Sequence, residues 1–278
     1  MDPGISAHQT HGDSFASLPV KPFQWGNPKK LALAEAMSSW TIQTLRANHA
    51  QVGVVARQGA YVTRLFDRTG MTHSGFVFQD PTSGEWMTYS LYSNPETGRK
   101  TARLWRQSLK DFFYGQRSNY PEALLLIPTP ALQARMLQRF YAEPFESLLP
   151  PHHRYNLVAP IQSPISFNCT KWVVLQLYAA QNNSSDVPTL IQAMRGHYGV
   201  KTVRPKFLTR LVLKRKADVD WEELNPPGTV QTVTVDSLYQ ANLFERFFLY
   251  SGKPKLKGIW AEDFNPVGEG GAAALIKK

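Results

Sequence analysis

SFNCTKWVVLQL, residues 166–177, contains the only cysteine of the 278-residue chain. Small polar residues and prolines precede Cys169, and an apolar helical pattern begins at Trp172. This pattern predicts a helix that carries the thiol in its first turn. Unpaired N–H groups and the helix macrodipole favour a thiolate there, so we expect the pKa of Cys169 to lie below its usual value of about 8.5. A buried structural cysteine is the alternative.

The composition is that of a globular protein with a substantial core. The hydrophobic fraction is 42%, and a single cysteine excludes an internal disulfide and a cysteine-rich zinc site. The longest apolar runs are too short to cross a bilayer, and no signal peptide is recognisable after Met1. We predict no cofactor and no metal site.

The formal net charge of +10 indicates anionic partners such as a membrane surface or the acidic polymers of a bacterial envelope. Seven basic residues cluster within sixteen positions: Lys201, Arg204, Lys206, Arg210, Lys214, Arg215 and Lys216. A solvated surface is the simpler interpretation of this stripe. Nucleic-acid binding is not favoured, because no nucleic-acid motif accompanies the charge.

Periodicity and breaker residues predict one α+β domain at 29–267, with a flexible arm at 1–28 and a disordered tail at 268–278. Helices are predicted at 29–49, at 185–198 and from Asp236 through Phe247 and Phe248. A further helix is predicted to begin after Thr129, which serves as its N-cap. Predicted strands occupy 51–57, 71–78, 86–92, 122–127 and 229–235. The strands at 71–78 and 86–92 are expected to form an antiparallel hairpin, and 102–113 a short helix or loop.

His73 is the histidine that suits catalysis best. Among seven histidines it alone lies inside a predicted strand, beside Ser74 and Gly75. Thiol hydrolases pair a thiolate with an imidazole that is held by a polar group. A buried, hydrogen-bonded structural histidine is the alternative.

Several segments resemble an exported bacterial family known as domain of unknown function 2145. They are Val54–Gly59, Thr72–Phe76, the strand at Trp86, Leu124–Leu137 and Thr232–Ser237, and the likeness spans roughly 40–245. The histidine strand precedes the nucleophile, an order that also resembles the circularly permuted papain-like hydrolases related to NlpC peptidases and lecithin–retinol acyltransferase. The resemblance implies a central antiparallel sheet flanked by helices, with a permuted papain-like core.

The resemblance also implies roles for individual residues. Cys169 is the expected nucleophile and His73 the expected base and general acid. The second hairpin strand is expected to supply the residue that orients His73. Ser90, Tyr92 and Asn94 are the candidates, and we predict Ser90. Besides the Cys169 N–H, the oxyanion is expected to meet a donor such as Asn168 or Gln162.

The expected function is a thiol hydrolase that cleaves amide or acyl-ester bonds in bacterial envelope components. The substrate is a peptidoglycan peptide or a phospholipid, the location is periplasmic or secreted, and a toxin delivered to competing cells fits the same chemistry. The alternative is a non-catalytic module that binds the envelope or a protein partner on the same fold.

Overall fold

The computed structural model describes residues 18, 20, 25–59, 71–81, 83–94, 101–116, 122–142, 149, 153–197, 201–203, 229–240, 243–251 and 273–276. Helices are α1 Pro28–Ala47, α2 Leu109–Tyr114, α3 Pro130–Ala142, α4 Cys169–Asn182, α5 Val187–His197 and α6 Val235–Gln240. Strands are β1 Val52–Gln58, β2 Met71–Gln79, β3 Trp86–Ser93, β4 Ala102–Ser108, β5 Glu122–Pro128, β6 Arg154–Tyr155, β7 Ser166–Phe167, β8 Lys201–Val203, β9 Val230–Thr232, β10 Phe244–Ser251 and β11 Ala273–Ile276.

A central antiparallel sheet organises the described part of the chain. Its seven strands run in the order β11-β10-β5-β1-β2-β3-β4. The pairs β6/β7 and β8/β9 form two small additional sheets. The inner strands β1 and β5 are almost entirely buried, as their continuous apolar runs indicate. The predicted α+β class, with helices flanking a central antiparallel sheet, is confirmed.

The helices cover both faces of this sheet. On one face Phe76 and Phe78 of β2 share a core cluster with residues of α3, α4, α5 and α6. On the other face Val55 and Val77 share a second cluster with residues of α1 and α2. Helix α4 lies deepest, and its side chains from Cys169 to Ala180 are all buried. The first residue of this helix is therefore held against the sheet.

Most predicted elements around the site are confirmed, including the helix at α1, the β2–β3 hairpin, and the start of α3 after Thr129. The hydroxyl of Thr129 accepts a hydrogen bond from the Leu132 N–H, as expected of an N-cap.

Three predictions of secondary structure are wrong. Residues 102–108 form β4, because the whole segment pairs with β3, and only 109–114 are helical. Phe247 and Phe248 belong to β10, since α6 ends at Gln240 and the buried aromatic run adds to β5. Strand β11 pairs with β10, so the tail is not disordered at Ala273–Ile276.

Two further predictions fall largely on residues that the structure does not describe. The arm at 1–28 is described only at 18, 20 and 25–28, where Leu18 is buried in the core and Val20 bridges to Arg106 of β4. Of the basic stripe, Lys201 alone lies in a described range. Within the described ranges, no helix combines the length and apolar character needed to span a membrane.

Candidate active site

Asn168 begins α4 and fixes the position of the thiol. Its backbone is extended, and its side-chain oxygen accepts a hydrogen bond of 2.8 Å from the Lys171 N–H. Its side-chain amide donates to the Leu157 carbonyl at 3.2 Å. This is N-cap geometry, and it places Cys169 at the first helical position, as predicted. The Asn168 side chain serves the helix cap and the adjoining loop.

Lys171 ties the loop before the helix to its first turn. Its side chain is fully buried, and its ammonium donates to the carbonyls of Pro160, Ser163 and Ser166. The same ammonium lies 5.0 Å from the centre of the Phe167 ring. A buried ammonium requires such partners, because desolvation without them is unfavourable. Residues 160–168 are thereby held over the N-terminus of α4.

The thiol of Cys169 is enclosed by polar groups of strand β2 and of its own helix. Only 3% of the residue is exposed. Its sulfur lies 3.8 Å from the Thr72 carbonyl oxygen and 3.9 Å from the Thr170 hydroxyl. The Thr170 hydroxyl also contacts the Ser74 hydroxyl at 3.2 Å. The N-terminus of α4 is thus joined to β2 by the hydroxyls of Thr170 and Ser74.

Burial raises the pKa of Cys169, although the Ser74 N–H, the Thr170 hydroxyl and N–H, and the charge of Arg57 all oppose the rise. The expected lowering of this pKa is therefore wrong. Hydrogen bonds at the helix N-terminus do favour the thiolate, but removing the sulfur from water outweighs them. At neutral pH this upward shift of the pKa favours the protonated thiol.

Cys169 approaches β2 where that strand is not paired with β3. The β2–β3 ladder extends from Gln79↔Trp86 to Phe76↔Tyr89 and ends there, whereas β3 remains paired with β4 as far as Ser93. Beyond Phe76 the sulfur of Cys169 meets the β2 backbone at Thr72 and Ser74. These two residues flank His73, so the thiol lies beside the strand at the level of His73.

The ring of His73 turns toward β3 and α2. Alternation along β2 directs Ser74 and Phe76 to α4, where they meet Thr170 and Trp172. His73 takes the opposite direction, with its ring centre 4.3 Å from that of Tyr92 and 5.5 Å from that of Phe112. The His73 ring therefore lies on the α2 side of the gap between β2 and β3, and the thiol contacts β2 at the same level from the α4 side.

The Tyr92 ring contacts the His73 ring, whereas the Ser90 hydroxyl faces Gly75. Ser90 lies against Gly75, where a Cβ would be only 1.9 Å from the Ser90 hydroxyl oxygen. That hydroxyl is buried without a hydrogen-bond partner among the described residues. Tyr92 donates its hydroxyl to Gln107 at 2.7 Å and accepts from Arg57 at 3.4 Å. Asn94 lies beyond the end of β3 and bonds through its N–H to the Thr101 carbonyl.

The two residues expected to support an oxyanion differ in position. Asn168 borders the pocket beside Cys169. Gln162 is exposed in a turn and does not line this pocket.

Sequence reasoning missed Arg57 and Lys171, which are both buried cations. Each carried a recognisable signal, because each interrupts an otherwise apolar run within a strand or helix. Burial of a charge in such a run requires partners from other segments, and these partners are visible only in the folded chain.

A narrow pocket of about 40 Å³ opens beside Cys169. Its walls are mainly apolar, with polar atoms from a few residues near the sulfur; the lining comprises Met71, Thr72, Leu157, Val158, Asn168, Cys169, Thr170, Thr232, Val233, Thr234 and Val235. A pocket of this size admits a small group next to the sulfur. Among the described residues, no three His, Cys, Asp or Glu side chains are grouped to hold a metal ion.

Comparison with curated proteins and with solved structures found no match. A family model matches residues 44–241, which include β1, the β2–β3 hairpin and all of α4. The matched range covers more than half of the chain and includes Cys169, His73 and Tyr92. The chain therefore belongs to the family described as an uncharacterized protein conserved in bacteria (DUF2145).

Proposed function

We propose that the chain is a thiol hydrolase with Cys169 as nucleophile and His73 as general base and acid. The observation that supports this most is their approach to one gap. The thiol contacts the β2 backbone on both sides of His73, and the His73 ring leans toward the same gap onto Tyr92. A nucleophile at a helix start, a pocket beside it and an imidazole at the same level are the parts that acyl transfer needs.

A protonated resting thiol defines the first step. As the sulfur attacks a carbonyl carbon, its proton passes to His73, and the carbonyl oxygen becomes an oxyanion. The Cys169 N–H at the start of α4 is a donor for this oxyanion. Collapse breaks the bond to the leaving amine or alcohol, which takes the proton from His73, and a thioester remains. Water then attacks the thioester with His73 as base, which releases the acid and restores the thiol.

Tyr92 is the orienting residue in this proposal. Its ring lies against His73, and its hydroxyl is fixed by Gln107 and Arg57. The Ser90 hydroxyl makes no hydrogen bond to a described residue and lies against Gly75. An aromatic neighbour that limits rotation of the imidazole performs the orienting part of the triad's third member.

The pocket favours a small group next to the scissile carbonyl. The free space of about 40 Å³ beside the sulfur is room for a few water-sized groups. Of the two envelope substrates, we take a peptidoglycan peptide as the first candidate and a phospholipid as the second. The positive net charge suits the anionic polymers of an envelope in the periplasm or outside the cell.

The substrate assignment is tested by incubating purified chain with peptidoglycan sacculi and, separately, with phospholipid vesicles. We expect soluble peptides from sacculi, no free fatty acid from vesicles, and no product from either with Cys169→Ala. Fatty acid release that depends on Cys169 would move the assignment to lipids. Peptide release that persists in Cys169→Ala would contradict the thiol mechanism.

A second candidate is a non-catalytic module that binds an envelope component or a protein partner. The enclosure of Cys169, with 3% exposure and a raised pKa, favours this reading, because an inert buried thiol has both properties. It predicts that Cys169→Ala binds sacculi as well as the parent does, and that neither releases products.

A further inference from the structure

Arg57 is a buried cation without an acidic partner in the described part of the chain. It lies on β1 directly opposite His73 of β2 and is 5% exposed. Its guanidinium donates to the carbonyls of Gln58 and Gly115 and to the Tyr92 hydroxyl. All of these partners are neutral. A guanidinium keeps its charge at any physiological pH, so this site holds a permanent buried positive charge.

The surroundings of Arg57 are shaped to its guanidinium. The Phe112 ring lies beneath it, with 5.0 Å between its central carbon and the ring centre. A Cβ on Gly115 would lie 2.6 Å from one guanidinium nitrogen, so this approach requires the glycine. An unpaired buried charge is unfavourable for folding, and neutral hydrogen bonds only partly offset this. A buried charge that is unfavourable for folding indicates a functional role for Arg57.

The contacts of Arg57 lead directly to the proposed site. Arg57 holds the Tyr92 hydroxyl at 3.4 Å from one side, and Gln107 accepts that hydroxyl's proton at 2.7 Å from another. Tyr92 in turn lies 4.3 Å from His73, and Phe112 contacts both the guanidinium and the His73 ring. Arg57 and His73 thus share two neighbours, Tyr92 and Phe112.

We propose that Arg57 is a positioning residue of the hydrolase, which acts through Tyr92 to hold the His73 ring at the gap that Cys169 enters. The guanidinium fixes the Tyr92 hydroxyl, and the Tyr92 ring limits rotation of the imidazole. Its permanent charge also favours the negative charge that develops on sulfur during attack. This role rests on the proposed function of Cys169 and His73.

The charges of these groups support the arrangement. Burial raises the pKa of Tyr92, the charge and hydrogen bond of Arg57 oppose this rise, and a negative charge on Cys169 adds to it. Arg57 also acts to lower the pKa of Cys169 against its burial. The cation is therefore close enough to influence both the tyrosine and the thiol.

Two readouts test the role. The first is the pH profile of Cys169 alkylation by iodoacetamide, which requires no catalysis. The second is the rate of Cys169 acylation by p-nitrophenyl acetate, which follows the proposed reaction. Both are measured for the parent, Arg57→Gln, Arg57→Lys, Tyr92→Phe and the double variant Arg57→Gln/Tyr92→Phe, after circular dichroism has confirmed folding.

We expect Arg57→Gln to shift the alkylation profile to higher pH, and Arg57→Lys to leave it in place because the charge remains. Acylation should fall at least about tenfold in Arg57→Gln and in Tyr92→Phe, the effect of one lost hydrogen bond to a charged group. The double variant should be no slower than Arg57→Gln alone, because both changes remove the same contact.

An alkylation profile that is identical in parent and folded Arg57→Gln would contradict the proposed effect of the Arg57 charge on the pKa of Cys169. Tyr92→Phe keeps the ring against His73 but removes the hydroxyl. Acylation of this variant at the parent rate would contradict the proposal that Arg57 acts on His73 through the Tyr92 hydroxyl. This variant decides the question even if Arg57→Gln does not fold. If the parent itself fails to acylate Cys169, the hydrolase proposal fails, and the alkylation profiles still report the influence of Arg57.

Discussion

Cys169 shows how burial and hydrogen bonding compete at one atom. The helix start and the N–H groups of Ser74 and Thr170 favour a thiolate, yet enclosure of the sulfur raises its pKa. A thiol in this state is activated only when a base accepts its proton during attack. This distinguishes the site from one that holds a preformed thiolate.

The reactivity of the resting thiol follows from this competition. We expect iodoacetamide to alkylate native Cys169 at pH 7.5 more slowly than the urea-unfolded chain, since burial raises the pKa of the thiol and so lowers the thiolate fraction. The rate should keep rising as the pH passes the usual thiol pKa, because a raised pKa delays ionisation. A rate that reaches its plateau below pH 8 would show a stabilised thiolate instead.

Gly75 is required for the close approach of β2 and β3 beside the site. A Cβ there would lie 1.9 Å from the Ser90 hydroxyl oxygen and 2.6 Å from the Tyr89 carbonyl oxygen. We expect Gly75→Ala to lower the free energy of unfolding by about 1–3 kcal/mol, the usual range for overpacking. Urea denaturation measures this change.

Two further variants sharpen the Gly75 prediction. Gly75→Ala/Ser90→Gly should recover only part of the loss, because the Tyr89 carbonyl belongs to the backbone and remains. Gly26→Ala serves as the control, since a Cβ at Gly26 meets nothing within 4 Å. Unchanged stability in Gly75→Ala would contradict the described contact.

The start of helix α4 is determined by local sequence, whereas other elements depend on distant partners. The breaker residues, the N-cap Asn168 and the apolar run predicted its start correctly, because these signals act within one turn. The β2–β3 hairpin was predictable for the same reason. Local periodicity predicts a helix at Phe247 and Phe248. This is wrong, because pairing with β5 decides their conformation and that partner is more than a hundred residues away in the sequence.

The neighbours of Ser90 and Tyr92 likewise depend on a distant segment. Both residues lie on β3, and alternation directs both to one face of the sheet. Gly75 stands opposite Ser90, and the Tyr92 ring extends as far as His73. These contacts depend on the register between two strands, which sequence periodicity leaves undetermined.

Lys171 holds the loop at 160–168 against α4, so Lys171→Met should loosen the site and destabilise the fold. Methionine preserves the length of the side chain but leaves three carbonyls without their donor. We expect a loss of about 2–5 kcal/mol in the free energy of unfolding, measured by urea denaturation. The control is Lys29→Met at an exposed position, for which we expect almost no change. Equal effects of the two substitutions would contradict a structural role of Lys171.

In the molecule as a whole, the residues of the proposed site come from the two faces of the central sheet and meet at the gap between β2 and β3. Cys169 lies at the start of α4 on one face, while His73 and Arg57 both contact Phe112 of α2 on the other face and Tyr92 contacts the two of them. The family match spans both sets, from 44 to 241. The gap between β2 and β3 is the place where chemistry is proposed to occur.

Acylation of Cys169 in the parent and in His73→Gln tests this pairing most directly. After reaction with p-nitrophenyl acetate, intact-mass spectrometry gives the rate at which Cys169 becomes acetylated, and Cys169→Ala gives the background. We predict that His73→Gln slows acetylation by roughly 10²–10⁴-fold, the usual contribution of a general base. Acetylation of folded His73→Gln at the parent rate would show that Cys169 and His73 do not act together.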